Sequence, residues 1–353
     1  MSAVEWLDAM SPWPRDGFGL DRMRALLAEL GDPQRSYPSI HVVGTNGKST
    51  ATVTIEQLLL SEGLIVGSTI SPHVADWSER IRLNGHEADF QAAVARVRAA
   101  AERLDSTQFE IVTAAALAAF AEAQVDVAVV EAGLGGRLDA TNVLRTCVVL
   151  LTNVGLDHTD VLGETREAIA REKLAVVQER TIVVLPDETY AHLVRDNETR
   201  IGGAHEAAEA FVGHRIAANP SVALPGRFEQ RDGEIRDGAH NADGACYLVD
   251  RLPAGDYTLV VSILADKEAD AMLRELRRAG SRLVATRSSS ERALPADRLA
   301  SLARRHFEHV EVADDPMEAL ARAHEHGDAV LVTGSLYLLG DIAQRERRAA
   351  WRG

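Results

Sequence analysis

The chain has 353 residues, which at roughly 100–200 residues per domain allows two domains with cores of their own. Its apolar content of 46% and charged content of 26% are ordinary for a soluble globular protein. The formal net charge of −15 argues against nucleic acid as the main partner, so anionic substrates must be attracted by local cations and metal ions.

Cysteine content and apolar runs predict the compartment. The two cysteines, Cys147 and Cys246, form neither a disulfide framework nor a metal-ligand spacing, which favours a reducing cytoplasm. Residues 1–16 lack the basic and then apolar pattern of a signal peptide, and no run of about 18 apolar residues predicts a membrane span. We expect a cytoplasmic protein without membrane partners, and we expect a monomer.

A glycine-bearing turn follows the first predicted strand, which covers residues 40–43 after a helical pattern over residues 20–30. The turn reads Gly44-Thr45-Asn46-Gly47-Lys48-Ser49-Thr50 and leads into a predicted helix over residues 51–60. Such a junction directs backbone N–H groups and a helix N-terminus at one point, which suits a polyphosphate. Lys48 would contact the β- and γ-phosphates, and the hydroxyl of Ser49 or Thr50 would hold Mg²⁺. A plain strand-to-helix turn is the alternative, because Val42 occupies the position of the first P-loop glycine.

Helical and strand patterns then alternate, which predicts a parallel, doubly wound α/β sheet. Predicted strands cover residues 64–70, 125–131, 146–152 and 181–185, and predicted helices cover residues 89–104, 109–123 and 165–177. The stretch 186–225 has no clear periodicity and is left unassigned.

A second α/β series begins near residue 239. Its predicted strands cover residues 257–263, 282–286, 310–313 and 329–333, and its predicted helices include residues 267–278 and 316–324. We therefore predict a P-loop domain over residues 1–222, shortened near 186–222, followed by a smaller Rossmann-like α/β domain over residues 223–353.

Polar motifs occur where the predicted strands end, which is where doubly wound sheets bind ligands. They are Ser71-Pro72-His73, Glu131 with the glycine-rich run 133–142, and the run 152–158 that ends in His158. Glu131 closing an apolar strand is placed to bind Mg²⁺, which prefers oxygen ligands. Taken singly, Glu131 could be a solvated strand end, His158 a capping or core histidine, and Gly133–Gly136 a flexible turn.

These motifs resemble those of the bifunctional folylpolyglutamate synthase/dihydrofolate synthase family, a branch of the Mur ligase superfamily. The resemblance is nearly continuous over residues 17–175 and resumes in shorter stretches of the second domain. The specific motifs are Glu131-Ala132-Gly133-Leu134-Gly135-Gly136-Arg137-Leu138-Asp139-Ala140-Thr141-Asn142 and Asp237-Gly238-Ala239-His240-Asn241.

The resemblance implies an ATP-driven ligase that joins L-glutamate to a pterin carboxylate or to the glutamyl tail of a folate. The γ-phosphate of ATP would pass to the acceptor carboxylate, and the glutamate amine would then attack the acyl phosphate. Phosphoryl transfer depends mainly on positioning and charge neutralisation. Domain closure around the substrates would exclude water from the activated acyl group.

The resemblance also implies a role for individual residues. The catalytic set would be Lys48, Glu131, His158, Lys173, Arg227 and His240. The nucleotide would be bound by Gly44, Thr45, Asn46, Gly47, Lys48, Ser49, Thr50, Arg227, Asp237 and His240. Two Mg²⁺ ions would be held by Ser49, Ser71, Glu131, His158 and Lys173, the last as a carbamate. The acceptor substrate would contact Arg80, Thr107, Phe109 and Asp139.

Some of these residues have a structural alternative. Lys173 could be a surface lysine paired with Glu172, and its carbamylation would require burial that lowers its pKa. Phe109 could be a core residue at the start of a helix.

Two features of the chain depart from the family pattern. Ser49 follows Lys48 where the folate branch has glycine, as in the cell-wall branch, and the interval from Lys173 to Arg227 is short. A helix whose asparagine meets the adenine is not recognisable there, so Asn219 or Asn241 would have to substitute. Two alternatives therefore stay open: a cell-wall amino-acid ligase, for whose UDP-sugar domain too few residues precede Gly44, and an inactive ATP-binding relative.

Overall fold

The structure, a computed structural model, describes residues 1–14, 17–327 and 329–350. The chain forms two compact units, Met1–Val222 and Ala223–Gly353. Within the described ranges no helix is both long enough and apolar enough to cross a membrane.

An eight-stranded sheet organises the first unit, with strand order β4-β3-β2-β5-β1-β6-β7-β8. The strands are β1 Ser39–Val43, β2 Val66–Thr69, β3 Ile81–Leu83, β4 His86–Glu87, β5 Val127–Glu131, β6 Thr146–Leu151, β7 Ile182–Leu185 and β8 Thr199–Ile201. In this order, all neighbouring strands from β2 to β8 pair in parallel, and β3 pairs antiparallel with both β2 and β4. The central strands are fully buried, which explains their nearly continuous apolar sequence.

Helices cover both faces of this sheet. They are α1 Ala3–Asp8, α2 Asp21–Glu29, α3 Lys48–Ser61, α4 Phe90–Arg103, α5 Gln108–Glu122, α6 Thr159–Leu162, α7 Arg166–Lys173 and α8 Ala204–Val212. Successive residues of β1 show the alternation: Val42 packs with α3 and α8, whereas Val43 packs with α7. The predicted doubly wound P-loop fold is confirmed.

The stretch left unassigned in the sequence contains regular structure. A 3₁₀-helix covers Glu188–Leu193, β8 pairs in parallel with β7, and α8 packs against α3. Strand β8 has only three residues and two of them are exposed, so it lacks the apolar pattern of a buried strand. Helix α8 begins at Ala204, directly after the glycines Gly202 and Gly203.

The second unit has a six-stranded sheet of order β13-β12-β11-β14-β10-β9. Its strands are β9 Glu229–Arg231, β10 Glu234–Arg236, β11 Tyr257–Val261, β12 Arg282–Ala285, β13 His309–Val312 and β14 Ala329–Thr333. Its helices are α9 Ala242–Arg251, α10 Ala269–Leu276, α11 Ala296–Ala303, α12 Pro316–Glu325 and α13 Leu336–Ala350. The predicted strands and the Rossmann-like class are confirmed, and the short β9–β10 hairpin adds an antiparallel edge that the sequence did not signal.

Candidate active site

The P-loop joins β1 to α3 in a backbone conformation that glycine makes possible. Gly44 has φ 149° and Gly47 has φ 79°, and both values lie in the region that side chains disfavour. A Cβ atom on Gly44 would lie 1.9 Å from Oγ1 of Thr152. Gly47 is the N-cap of α3, and Lys48 is the first residue of that helix. The P-loop therefore follows β1 directly and lies at the N-terminus of a long helix.

The segment that follows β6 braces the P-loop. The Thr152 hydroxyl donates to the carbonyl of Asn46 at 2.7 Å, and Oδ1 of Asn153 accepts from the Asn46 N–H at 2.9 Å. The Gly155 N–H donates to the hydroxyl of Thr45 at 3.0 Å. Thr152 and Asn153 belong to the predicted strand-end motif 152–158, but the sequence predicted no role for them. Their only sequence signal is their position at the end of a strand.

Two lysine side chains meet at one carbonyl oxygen of the P-loop. Nζ of Lys48 donates to the carbonyls of Gly44 and Thr45, each at 3.2 Å, and Nζ of Lys173 donates to the same Gly44 carbonyl at 2.8 Å. Lys173 is 4% exposed, and burial, assisted by the charge of Lys48, lowers its pKa to about 7.

Lys173 is therefore not a surface lysine paired with Glu172. The Glu172 carboxylate instead accepts from Nε of Arg137 at 3.1 Å.

Glu131 ends β5 and is 3% exposed, so it is not a solvated strand end. It stands opposite Val42 in the β1–β5 register, and its Oε2 accepts from the backbone N–H of Ser71 at 2.9 Å. The Ser71–Pro72 peptide bond is cis. Because β2, β5 and β1 are adjacent, their carboxyl ends bring Ser71 and Glu131 beside the P-loop.

His158 follows β6, the other neighbour of β1. It is the N-cap residue of α6, has φ 50°, and leaves 38% of its side chain exposed. Its ring does not cap the helix, and its Nε2 lies 3.9 Å from Oδ1 of Asp157. The imidazole is thus an accessible side chain at the same edge of the sheet rather than a core histidine.

The side chains at this edge fit a hard divalent cation. Across the residues that the structure describes, no group of three or more His, Cys, Asp or Glu side chains converges. The set expected from the sequence holds only two of that kind, Glu131 and His158, beside the hydroxyls of Ser49 and Ser71. One buried carboxylate, hydroxyl oxygens and an imidazole suit Mg²⁺ or Mn²⁺, with phosphate oxygens and water completing the coordination.

The connection from β5 to β6, residues 132–145 and here named the β5–β6 crossover, is compact rather than flexible. A Cβ on Gly136 would lie 2.5 Å from the carbonyl oxygen of Lys173, and a Cβ on Gly133 would lie 2.5 Å from Cζ of Phe109. The Arg137 N–H donates to the Glu172 carbonyl at 3.2 Å. The crossover thus packs on the end of α7 that carries Lys173.

Two of the four predicted acceptor-binding residues organise their own segments. Thr107 is the N-cap of α5 and forms a reciprocal capping box with Glu110. Asp139 is 6% exposed, and its carboxylate accepts from the N–H groups of Leu134 at 2.7 Å and Thr141 at 3.0 Å. Burial raises the pKa of Asp139.

The other two belong to packed aromatic groups. Phe109 packs beside Gly133, and Nε of Arg80 donates to Nδ1 of His73 at 2.9 Å while its guanidinium lies 4.4 Å from the Trp77 ring centroid. Contact of all four residues with substrate stays a prediction.

The predicted residues of the second unit come together around one partly buried carboxylate, that of Asp237. Asp237 accepts from the N–H groups of Phe228 at 2.7 Å and Ala239 at 2.9 Å, and burial raises its pKa. Nη1 of Arg227 donates to the Gly226 carbonyl at 3.3 Å. Nδ1 of His240 donates to the carbonyl of Gly238 at 2.8 Å, which assigns the tautomer. Asp237 therefore holds the turn that carries Arg227, and its contact with a ribose stays a prediction.

Contact of Asn219 or Asn241 with the adenine stays a prediction. The side chain of Asn241 caps α9 by accepting from the Gly244 N–H at 2.8 Å. Asn219 lies in the irregular stretch that follows α8.

Comparison with protein families and known proteins gives consistent matches. The Mur ligase middle domain matches residues 42–208, and the Mur ligase glutamate ligase domain matches residues 226–336. The dihydrofolate synthase/folylpolyglutamate synthase of Escherichia coli is 31% identical over 92% of this chain and 90% of its own length. The Bacillus subtilis protein of the same name is 29% identical over 93% of this chain and 94% of its own length.

Solved structures resemble the whole chain. Escherichia coli FolC in complex with DHPP and ADP superimposes with a TM-score of 0.89 and 28% identity, covering 100% of this chain and 99% of that one. The Yersinia pestis bifunctional folylpolyglutamate synthase/dihydrofolate synthase with AMPPNP and a Mn ion has a TM-score of 0.84 and 28% identity, covering 100% of this chain and 98% of that one. The alignment with the Bacillus subtilis protein spans 413 positions against 353 residues here, so parts of that protein have no counterpart in this chain.

Proposed function

Since the chain belongs to the folylpolyglutamate synthase/dihydrofolate synthase family of Mur ligases, we propose that Lys48, Lys173 and Glu131 form the phosphoryl-transfer site of an ATP-dependent glutamate ligase. The acceptor is dihydropteroate, the glutamyl tail of a reduced folate, or both. One observation carries the assignment to these residues: two lysine amines meet at the first P-loop carbonyl, one strand away from the buried carboxylate of Glu131.

The residues of the first unit suit the first half of the reaction. The γ-phosphate of ATP passes to an oxygen of the acceptor carboxylate, so an acyl phosphate forms and ADP leaves. Lys48, at the N-terminus of α3, supplies positive charge to the phosphates together with the backbone N–H groups of that helix end. Mg²⁺ held by Ser49, Ser71, Glu131 and His158 would neutralise charge on the transferring group.

The second half of the reaction forms the amide bond. The glutamate amine, after losing a proton, attacks the acyl carbonyl, and inorganic phosphate leaves. Arg227 and His240 are assigned to the phosphates by their match to the family motifs. A contact of His240 with phosphate would use Nε2, because Nδ1 donates to the Gly238 carbonyl.

Lys173 has the properties that carbamate formation requires. Its lowered pKa of about 7 leaves much of the amine neutral at physiological pH, and only the neutral amine adds to CO₂. Addition forms an N–C bond with loss of one proton and gives an anionic carbamate. Its oxygens would offer the hard ligands that a second Mg²⁺ prefers.

The function is tested by ADP release from purified protein. ATP, Mg²⁺ and L-glutamate are supplied with dihydropteroate in one series and with tetrahydrofolate in another, and the product is identified by its mass. We expect ADP release that requires both the acceptor and glutamate, with one glutamyl residue added per ADP. Omitting the acceptor is the control for ATPase activity.

The gaps in the alignment favour one alternative, an inactive relative that binds ATP. Such a protein would bind ATP with Mg²⁺ but would release no ADP in response to either acceptor. That result would refute the proposed ligase. The alternative of a cell-wall ligase gains no support from the relatives described above.

A further inference from the structure

The β5–β6 crossover is unusual for a connection between parallel strands. Strands β5 and β6 flank β1 on opposite sides, so the chain between them must cross one face of β1. Such crossovers are commonly made by a helix, which satisfies its own backbone hydrogen bonds. No helix or strand lies between Glu131 and Thr146, so the crossover depends on side chains to satisfy its polar groups.

A buried chain of side chains supplies this anchoring. Asp139 accepts from two backbone N–H groups and from the hydroxyl of Thr141. Burial raises the pKa of Asp139, and these hydrogen bonds oppose that rise. The Thr141 hydroxyl in turn contacts Nε2 of His41 at 2.8 Å. Because the hydroxyl proton is directed at Asp139, His41 must be the donor to Thr141 and must carry its proton on Nε2.

His41 is an unexpected residue at the centre of β1. It is 0% exposed, burial lowers its pKa to about 3, and it is therefore neutral at physiological pH. Its Nδ1 is buried without a hydrogen-bond partner. Since an unsatisfied buried polar atom costs free energy, an aliphatic side chain would suit this position better for packing alone. What the imidazole provides is the hydrogen bond to Thr141.

The anchored crossover touches the predicted catalytic residues at its start and again at Gly136 and Arg137. It begins directly after Glu131, and its Gly136 and Arg137 contact the backbone of Lys173 and Glu172. His41 itself lies three positions before Gly44 on the strand that leads into the P-loop. One side chain of β1 thus holds the element that packs on the end of α7.

We propose that His41 and Thr141 are positioning residues of the ligase: they fasten the crossover to the P-loop strand and so hold Lys173 and Glu131 in place. Neither side chain is assigned contact with a reactant. The proposal rests on the proposed function for its kinetic consequences, whereas the anchoring itself can be measured without turnover.

The test compares variants that keep the bond with variants that remove it. Thr141→Ser and His41→Gln retain a hydroxyl and a side-chain N–H donor, whereas Thr141→Val and His41→Leu remove them. Thr146→Val is the matched control, because the Thr146 hydroxyl is also buried but has no hydrogen-bond partner. Each full-length variant is measured for kcat, for KM of ATP and of the acceptor, for urea unfolding, and for hydrogen exchange of the amides in residues 133–142.

We expect Thr141→Val and His41→Leu each to lower kcat by about 10–100-fold, the range found when second-layer hydrogen bonds are removed, with little change in KM for ATP. The double variant should lose no more than the worse single variant, because both break one chain of bonds. Exchange in residues 133–142 should accelerate. Thr141→Ser should restore most of kcat, and Thr146→Val should match the wild type.

Two results would overturn the proposal. One is unchanged exchange in residues 133–142 together with unchanged kcat in Thr141→Val. The other is a loss of kcat that merely follows the loss of folded protein and is equal in the conservative and non-conservative variants. If the wild type shows no ligase activity, the proposed function fails, and the exchange measurement alone still decides whether His41 and Thr141 anchor the crossover.

Discussion

The P-loop and the β5–β6 crossover are both glycine-rich, and they follow adjacent parallel strands, yet they are held in different ways. The P-loop is held from outside, by Thr152, Asn153 and Gly155 of the next strand end. The crossover is organised around a buried carboxylate of its own, Asp139, and contacts β1 through the hydrogen bond between Thr141 and His41. A phosphate-binding turn must keep its N–H groups and lysine available, whereas a crossover over a buried strand must satisfy its own polar groups.

Glycine also serves a different purpose in each loop. In the P-loop, Gly44 and Gly47 adopt positive φ values that allow the chain to turn into α3. In the crossover, Gly136 does not adopt a positive φ, but it leaves no room for a side chain above the Lys173 carbonyl. Close packing alone therefore requires glycine at position 136, whereas Gly44 combines a positive φ with a close contact to Thr152.

The largest expected effect comes from the lysine of the P-loop. Lys48→Met should reduce kcat at least about 10³-fold, because it removes a cation that the phosphoryl-transfer step uses, while leaving the free energy of unfolding nearly unchanged. Steady-state ADP release and urea unfolding measure the two quantities. Retained turnover in a folded Lys48→Met protein would contradict its assignment to the phosphates.

The corresponding change in the crossover should affect both activity and stability. Asp139→Asn replaces a carboxylate, which only accepts hydrogen bonds, by an amide, which has one accepting oxygen and one donating nitrogen. One of the backbone N–H groups that now donate to Asp139 would therefore lose its acceptor. We expect a loss of about 1–3 kcal/mol in the free energy of unfolding and a lower kcat. Urea unfolding with parallel kinetics measures both. Raised KM for the acceptor with unchanged stability would instead favour direct contact of Asp139 with substrate.

Gly136→Ala tests the packing role of the crossover glycine. The added methyl group would overlap the Lys173 carbonyl, and we expect a destabilisation of about 1–3 kcal/mol. Gly19→Ala is the matched control, since a Cβ there meets nothing within 4 Å. Equal stability of the two variants in urea would show that the close contact of Gly136 is not required.

Lys173 should make stability depend on pH. Its pKa is lowered to about 7 in the folded chain but is about 10.4 when unfolded, so the unfolded chain binds more protons between these values. The free energy of unfolding should therefore rise between about pH 7 and pH 10, by up to about 1.4 kcal/mol per pH unit. Below pH 7 the lysine is protonated in both states, so the folded chain is destabilised by the full free energy of burying the ammonium. Urea unfolding at several pH values in CO₂-free buffer measures how the free energy of unfolding changes with pH. Lys173→Met should reduce this change. Identical slopes in both proteins would contradict the lowered pKa.

The smallest effect should come from the external brace of the P-loop. Asn153→Ala removes the acceptor for the Asn46 N–H, a single hydrogen bond of about 1 kcal/mol, and should raise KM for ATP about fivefold with little change in kcat. Kinetics at varied ATP concentration measure this change. Unchanged KM for ATP and unchanged stability would mean that the P-loop keeps its shape without this external bond, and would contradict the contrast between the two loops.

The sequence predicted the features that rest on local pattern. Buried parallel strands such as β1 and β5 are short apolar runs, and α4 and α5 have clear caps or helical periodicity. The P-loop carries its chemistry in adjacent residues. For that reason the fold class and the order of the strand-end motifs could be predicted.

Features that depend on distant partners could not be predicted. Strand β8 is recognisable only by its pairing with β7, and the structural roles of Asp139 and Thr107 become visible only when their buried partners are known. His41 reads as an interruption of a strand, although it forms a hydrogen bond with Thr141, 100 positions away. The burial of Lys173 likewise arises from the packing of α7 and the crossover.

The brace of the P-loop has a consequence for the order of events on the ribosome. Its bonds link residues that are 106 to 110 positions apart, and β1 is flanked only when β5 and β6 have both been made. Contacts of such long sequence separation form late, after the entropy of closing the intervening chain has been lost. A nascent chain that ends before Thr152 therefore contains the complete Gly44–Thr50 motif but none of the three bonds that brace it, so the braced P-loop can form only after synthesis has passed that point.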